Sequence, residues 1–168
     1  MTEGDTSLGV NTAAWGCARG FTGKSAGKYY FEAVYKAVGA AASAGVGVGT
    51  TGASLAVYPG ATAAAAGYES NGTKAKGSPS AYGSSWDVAG SVIGVALDMD
   101  AKKVWFSLNN VWQASGDPVA GTGEAFASLG GTLYPIGGCT AIGSILAIHT
   151  KAPAFVYAPP TGYSAWDV

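Results

Sequence analysis

The sequence predicts an all-β protein built as two packed antiparallel sheets, a β-sandwich. Short apolar or alternating segments end repeatedly at Gly, Asn, Pro or Ser, which is typical of strands joined by turns. The hydrophobic period of an amphipathic helix is almost absent. A chain of 168 residues can bury a substantial core, so we expect residues 1–168 to form one domain.

The low charge of the chain excludes some classes of partner. Charged residues are 11% of the sequence, against roughly 25% in ordinary globular proteins, and the formal net charge is -1. Binding to nucleic acid needs a clustered basic face, but the nine Lys and Arg residues are scattered. The nearest approach to a cluster, Lys74 and Lys76, is interpreted as a solvated loop. We therefore expect no nucleic-acid partner, and a surface that packs against partners or within an assembly.

Neither membrane insertion nor export by the common route is expected from the sequence. No apolar stretch approaches the roughly 18 residues of a membrane span. The opening stretch MTEGDTSLGV is polar and acidic, and it lacks the basic and apolar regions of a signal peptide. Cys17 and Cys139 form no CxxC pair. We expect two buried free thiols, and the alternative is a disulfide if the fold brings the two cysteines together.

The first half of the chain predicts three strands and a fourth segment that is strand or irregular. A short strand falls within 14–20 and a stronger one within 27–38. The small residues of 43–50 indicate a strand that lets a neighbouring backbone come close. The alanine-rich stretch 62–70 is short, uncapped and flanked by glycines, so we interpret it as strand or irregular rather than helix. In the strand of 27–38, Tyr29, Phe31, Ala33 and Tyr35 share one face, and Tyr30, Glu32, Val34 and Lys36 share the other.

The second half alternates long connections with strands. Residues 71–87 form a polar loop, and 115–129 form a second long connection; such loops are usually functional or mobile. Between them, residues 91–113 predict a meander of two hairpins, with Asn109-Asn110 at the second turn. Residues 131–150 predict two more strands that bend at Gly143. The tail carries Pro153, Pro159 and Pro160, which restrict it to an edge or to folding back over the sandwich.

Asp98 and Asp100 are a candidate catalytic or metal pair, because they stand two apart between an apolar and an aromatic strand. A calcium loop needs further oxygen ligands, but Ala101, Lys102 and Lys103 follow. A glycosidase pair needs two carboxyls that face each other across a cleft of about 5 to 9.5 Å, which a turning strand does not provide. An Asp at the start of a turn accepts hydrogen bonds from nearby backbone N–H groups. We therefore interpret both acids as turn residues.

The order of the motifs resembles that of the SPRY domain. The motifs are GKYYFEAVY, GVGVGT, VIGVALDMDAKKVWFSLNN and LYPIGG. The likeness covers about residues 14–166 and leaves 1–13 as an N-terminal extension. The resemblance implies a bent, concanavalin A-like sandwich of the jelly-roll type, which is not an enzyme and binds protein or other ligands through its loops.

The two ends of the chain are similar to a narrower group, the SPRY domains encoded by bacteriophages and prophages. The stretches WGCARGFTGKSAGKYYFEA and FVYAPPTGYSAW carry this likeness, which implies a virion structural protein. Asn110 stands where the family has a turn glycine, and Asn tolerates the left-handed conformation needed there. His149 and Thr150 replace residues of a common packing motif of the family.

Four aromatic residues are the candidate ligand-binding residues: Tyr68, Tyr82, Trp86 and Trp112. Tyr82 and Trp86 lie in or beside the loop 71–87, where they either anchor the loop or contact a ligand, since exposed aromatics are common interface anchors. We predict no catalytic residue, no metal site and no cofactor. His149 is the sole histidine, so a His-based metal cluster or a conventional triad cannot be assembled.

The leading functional hypothesis is a non-catalytic interaction module of a phage or prophage particle. It would be located in the virion, either in a tail-associated part that recognises the host, such as a tail fibre, or as capsid decoration. Its partners would be other virion proteins or a host-surface ligand, either protein or glycan. Assembly into a homo-oligomer is a further possibility. The alternative is a carbohydrate-binding module that uses the loop aromatics. A glycan-cleaving enzyme would need carboxylates grouped on one strand, and no E-x-D-x-x-E pattern occurs.

Overall fold

The computed structural model describes residues 5–9, 13–41 and 43–167, with 5–9 described as a backbone strand alone. Within these ranges the chain forms thirteen strands and two short 3-10 helices, Gln113–Ser115 and Ala152–Ala154. The strands are β1 (Asp5–Gly9), β2 (Gly16–Arg19), β3 (Lys28–Ala37), β4 (Ala44–Gly49), β5 (Ala65–Glu69), β6 (Thr73–Ala75), β7 (Pro79–Ala81), β8 (Val92–Asp98), β9 (Lys103–Leu108), β10 (Val111–Trp112), β11 (Tyr134–Cys139), β12 (Ile145–His149) and β13 (Ser164–Ala165).

The strands form two sheets, which confirms the predicted all-β sandwich. The first sheet has the order β1-β12-β3-β8-β9-β10, and the second has the order β2-β11-β4-β5-β6-β7. Neighbouring strands in both sheets are antiparallel, and only the short β13 pairs in parallel, with the start of β3. Among the described residues, no helix is long and apolar enough to span a membrane.

The predicted division of β3 into two faces is confirmed. Phe31, Ala33 and Tyr35 point between the sheets, where they join one large core with side chains of the second sheet such as Tyr68. Tyr30 points to the outer face of the first sheet, into a smaller cluster beneath the second long connection and the tail. Because successive side chains of a strand alternate, the outer face of each sheet carries its own set of residues.

The small residues of β4 allow the close approach that the sequence predicts. A Cβ atom on Gly47 would lie 2.0 Å from the carbonyl oxygen of Ala66 on β5, which no real side chain could tolerate. The end of the alanine-rich stretch, Ala65–Glu69, is a strand that pairs antiparallel with β4 in the same sheet.

Asp98 and Asp100 shape a turn, as predicted. Asp98 Oδ1 accepts the N–H of Ala101 at 2.8 Å, and its Oδ2 lies 3.0 Å from Lys28 Nζ. Burial alone would raise the pKa of Asp98, but the Ala101 N–H and the Lys28 ammonium outweigh it and hold that pKa below its ordinary value. Asp100 Oδ1 accepts the N–H of Gly27 at 2.9 Å, which ties the turn to the start of β3.

Asn109 and Asn110 form the second turn of the meander. Both have positive φ, 47° and 67°, as the predicted two-residue hairpin requires. The side chain of Asn109 also accepts the N–H of Val92 at 2.9 Å and so ties the turn to the first residue of β8.

The cysteines are free thiols, as expected. On the neighbouring strands β2 and β11, Cys17 lies opposite Gly138 and Cys139 lies opposite Gly16. Cys139 points into the core between the sheets, whereas Cys17 packs on the outer face of the second sheet. The two side chains therefore point to opposite faces and cannot pair.

Two expectations about the first long connection were wrong. Residues 71–87 contain the hairpin of β6 and β7, because Lys74 and Ala75 pair with β5 and extend the second sheet. Lys74 is not a solvated loop residue, since its Nζ donates to the carbonyl oxygen of Ala125 at 2.7 Å.

The tail folds back over the first sheet, as the prolines predict. The hydroxyl of Tyr163 donates to the carbonyl of Pro118 at 3.1 Å. The indole N–H of Trp166 donates to the carbonyl of Thr22 at 2.8 Å, and its ring packs edge-on against Phe31 at 5.4 Å. The tail thus joins the start of the chain to the core.

Candidate binding sites

The two long connections, 71–87 and 115–129, meet at one surface, which we call the loop face. Lys74 joins them through its hydrogen bond to Ala125. Its ammonium also lies 5.1 Å from the ring centroid of Tyr82, a distance at which a cation and a ring attract. A basic side chain of the first connection is therefore used to fix the second.

Further hydrogen bonds hold the loop face in one arrangement. Gln113 is buried, and its Oε1 accepts the N–H of Ser84 at 2.8 Å. Lys103 donates to the carbonyl of Gly121 at 2.8 Å and pairs with Glu124 at 3.2 Å. The loop face is therefore an ordered surface attached to the first sheet.

Two of the four predicted ligand-binding residues lie in the core. Trp86 is 1% exposed, its ring packs 5.8 Å from that of Tyr35, and its backbone N–H donates to the carbonyl of Ser70. Tyr68 is fully buried, and its hydroxyl donates to the carbonyl of Ser84. Both residues anchor the first connection, and in this conformation neither ring presents a surface to a ligand. A binding role for them stays a prediction.

The other two predicted residues are half-buried. Tyr82 packs edge-on against Tyr68, with ring centroids 5.3 Å apart, and its ring also lies beside the Lys74 ammonium. Trp112 packs on the outer cluster of the first sheet, which contains Tyr30, Trp105 and Tyr163. The structure brings Tyr68, Tyr82 and Trp86 together and leaves Trp112 apart from them.

A separate cavity lies on the outer face of the second sheet, and we call it the Glu69 pocket. Glu69 ends β5 and follows Tyr68, whose side chain points into the core, so the carboxyl points outward. The cavity has a volume of about 290 Å³. Its lining is aromatic and polar and includes no basic side chain: Trp15, Ser43, Tyr58, Glu69, Ser70, Asn71, Thr73 and Pro79.

Several elements bring these residues together. Trp15 precedes β2, and Tyr58 belongs to the connection 50–64, which lies over the outer face of the sheet. Cys17 holds this connection in place, because its N–H donates to the carbonyl of Leu55 and its thiol donates to the carbonyl of Val57. The rings of Trp15 and Tyr58 lie 6.0 Å apart and form an aromatic wall. The hairpin of the first long connection supplies the opposite wall, so the pocket adjoins the loop face.

Glu69 is a buried carboxyl without full hydrogen bonding. The residue is 7% exposed, and Oε1 has no hydrogen-bond partner among the residues that the structure describes. Burial raises the pKa of Glu69 from 4.5 to about 9, so the side chain is protonated at neutral pH. A buried polar group of this kind costs stability unless something pairs with it.

Sequence reasoning missed Glu69, Trp15 and Tyr58. One signal was present: in the stretch that ends β5, Glu69 falls on the face opposite the aromatic Tyr68. Nothing in the sequence placed Trp15 and Tyr58 beside it. Among the described residues, no group of three or more His, Cys, Asp or Glu residues could hold a metal ion.

The two antiparallel sheets define an all-β sandwich. The chain belongs to the SPRY domain family, because the model of that family matches residues 28–149. SPRY domains are protein-interaction modules and are generally non-catalytic. A search of curated proteins returns no match.

Proposed function

We propose that the chain is a non-catalytic interaction module of a phage or prophage particle, which binds a virion protein or a host-surface ligand through its loop face. The observation that carries the proposal is the ordered loop face itself. Because Lys74 already links the two connections and Gln113 holds Ser84 of the first one, binding costs little conformational entropy there. Val119 on the loop face is 57% exposed and gives a partner apolar surface to cover.

The particle context is supported by the ends of the chain, which resemble phage-encoded SPRY domains. Both ends belong to the sheets although they lie outside the matched range 28–149. β2 pairs with β11, and β13 pairs with β3. This arrangement also supports treating 1–168 as one domain.

The alternative of a glycan-binding module that uses the loop aromatics has less support. Trp86 and Tyr68 are buried, so a sugar has no exposed ring of theirs to stack on. Trp86→Ala would therefore lower stability rather than remove a contact.

Particle association can be measured directly. Particles purified from infected or induced cells should carry the labelled protein, and Val119→Asp in the loop face should reduce its incorporation about tenfold or more, because a charge is placed in a covered apolar contact. Phe21→Ser is the matched control, since Phe21 is fully exposed but outside the loop face. Absence of the wild-type protein from particles, or equal loss with Phe21→Ser, would contradict the proposal.

A further inference from the structure

The Glu69 pocket has the features of a site for one chemical group. A carboxyl that is more than nine-tenths buried lines it, and one oxygen of that carboxyl has no partner in the described chain. Ser43, Asn71 and Pro79 are exposed, so the cavity opens to solvent. The Glu69 carboxyl thus lies beside an open, aromatic-walled cavity, and a donor that enters the cavity could pair with it.

A guanidinium group matches this site better than other donors. It presents paired N–H donors to a carboxylate in a planar fork, and it stacks on aromatic rings. Trp15 and Tyr58 provide those rings, and the polar residues Ser43 and Thr73 line the same space. No basic residue of the lining competes for the carboxylate of Glu69.

The chain's own arginine is already used elsewhere. Arg19 is the sole arginine of the sequence. Its guanidinium donates to the carbonyl of Thr51 at 2.9 Å and lies 5.7 Å from the ring centroid of Tyr134. A second copy of the chain could supply that group only by breaking these contacts, so the guanidinium comes from a different molecule.

We propose that the Glu69 pocket binds an arginine side chain of a protein partner, with Glu69 as its ion-pair partner and Trp15 and Tyr58 as the stacking wall. This proposal rests on the proposed function, because the arginine belongs to the protein that docks beside the loop face.

Binding should be linked to the ionisation of Glu69. The free pocket holds the carboxyl protonated, and pairing with a guanidinium needs the carboxylate, so binding releases a proton. Affinity should therefore rise with pH, by up to about tenfold per pH unit while the ionised fraction is small. The neighbouring titratable groups are Cys17 on β2 and Tyr58. Burial, and after it the charge of Glu69, raises the pKa of Cys17 to about 12. On β4, the residue opposite Glu69 is Gly45, which has no titratable side chain.

The test uses the full chain and short peptides. Acetyl-Gly-Arg-Gly-amide is titrated at pH 8.5 against the protein and followed by NMR at the Trp15 indole N–H. The matched peptide carries citrulline, which has the same shape without the charge. We expect the arginine peptide to bind about tenfold or more tightly than the citrulline peptide, and Glu69→Gln to remove that difference.

Further variants separate the contributions. Trp15→Leu and Tyr58→Leu keep the carboxyl and remove the rings, and each should weaken arginine binding about threefold. Asp100→Asn, which removes a carboxylate at a turn outside the loop face and keeps the oxygen that accepts the Gly27 N–H, is the matched control and should leave peptide affinity unchanged. If Glu69→Gln does not fold, the two aromatic variants and the pH dependence of the wild-type protein still decide the matter.

Specific outcomes would overturn the inference. Equal affinity for the citrulline peptide, or binding of a neutral oligosaccharide with no dependence on pH, would show that the pocket accepts an uncharged ligand. Tighter binding of free L-arginine than of the peptide would identify a small molecule as the source. Particle incorporation that survives Glu69→Gln but not Val119→Asp, together with no peptide binding, would reject this site and leave the proposed function standing.

Discussion

The chain buries two glutamates on the outer faces of its two sheets, and their surroundings differ. Glu32 on the first sheet is fully buried, and it accepts the Tyr30 hydroxyl and the Tyr157 N–H at Oε1 and the Val156 N–H at Oε2. Glu69 on the second sheet is almost as buried, but its Oε1 has no partner among the described residues.

The difference separates a structural carboxyl from a functional one. The three donors around Glu32 come from the chain itself, and two of them belong to the tail, so this carboxyl fastens the tail to β3. The surroundings of Glu69 supply aromatic rings and open space instead. Burial alone therefore does not identify a site, whereas burial without a partner in an open pocket does.

The largest expected effect is on the first sheet. Glu32→Gln replaces one acceptor oxygen by an NH₂ group, so at least one part-buried backbone N–H of the tail loses its partner. We expect the free energy of unfolding at pH 7 to fall by about 2–4 kcal/mol. Glu69→Gln is the matched variant and should not lower it, because the folded protein keeps the Glu69 carboxyl protonated at pH 7 whereas the unfolded chain ionises it, a cost that Gln does not carry. Urea denaturation measures both, and equal losses would contradict the comparison.

The second prediction is a difference in pH dependence. Between pH 4.5 and about 9, the folded protein keeps a proton on Glu69 that the unfolded chain has already released. The free energy of unfolding therefore falls as pH rises through that window. Relative to Glu69→Gln, the wild-type protein should lose about 1.4 kcal/mol for each pH unit within it. Unfolding measured at pH 5, 7 and 8.5 gives the difference curve. A flat curve would mean that Glu69 is ionised in the folded protein.

A smaller effect is expected from the hydroxyl that serves Glu32. Tyr30→Phe removes one donor at 2.9 Å and should cost about 1–2 kcal/mol. Tyr58→Phe, the matched change in the wall of the Glu69 pocket, should stay within about 0.5 kcal/mol. Thermal unfolding compares the two variants, and a larger loss for Tyr58→Phe would show that the pocket wall is a structural element.

The sequence predicted much of the fold because the signals are local. The Asn109-Asn110 turn and the alternating faces of β3 each depend on a few consecutive residues and on one rule of backbone geometry. The loop 71–87 was harder, because its polar composition hid the anchoring Trp86, whose burial depends on contacts with distant strands. The Glu69 pocket is harder still, since its lining spans residues 15 to 79 and no spacing rule joins them.

The most direct test of the functional assignment to Glu69 is the pKa of its carboxyl, measured by ¹³C NMR in the free protein and with the acetyl-Gly-Arg-Gly-amide peptide bound. We predict a pKa of about 9 in the free protein and a clear fall on binding of the peptide, with no change for the citrulline peptide. A pKa near 4.5 in the free protein, unchanged by either peptide, would contradict the account.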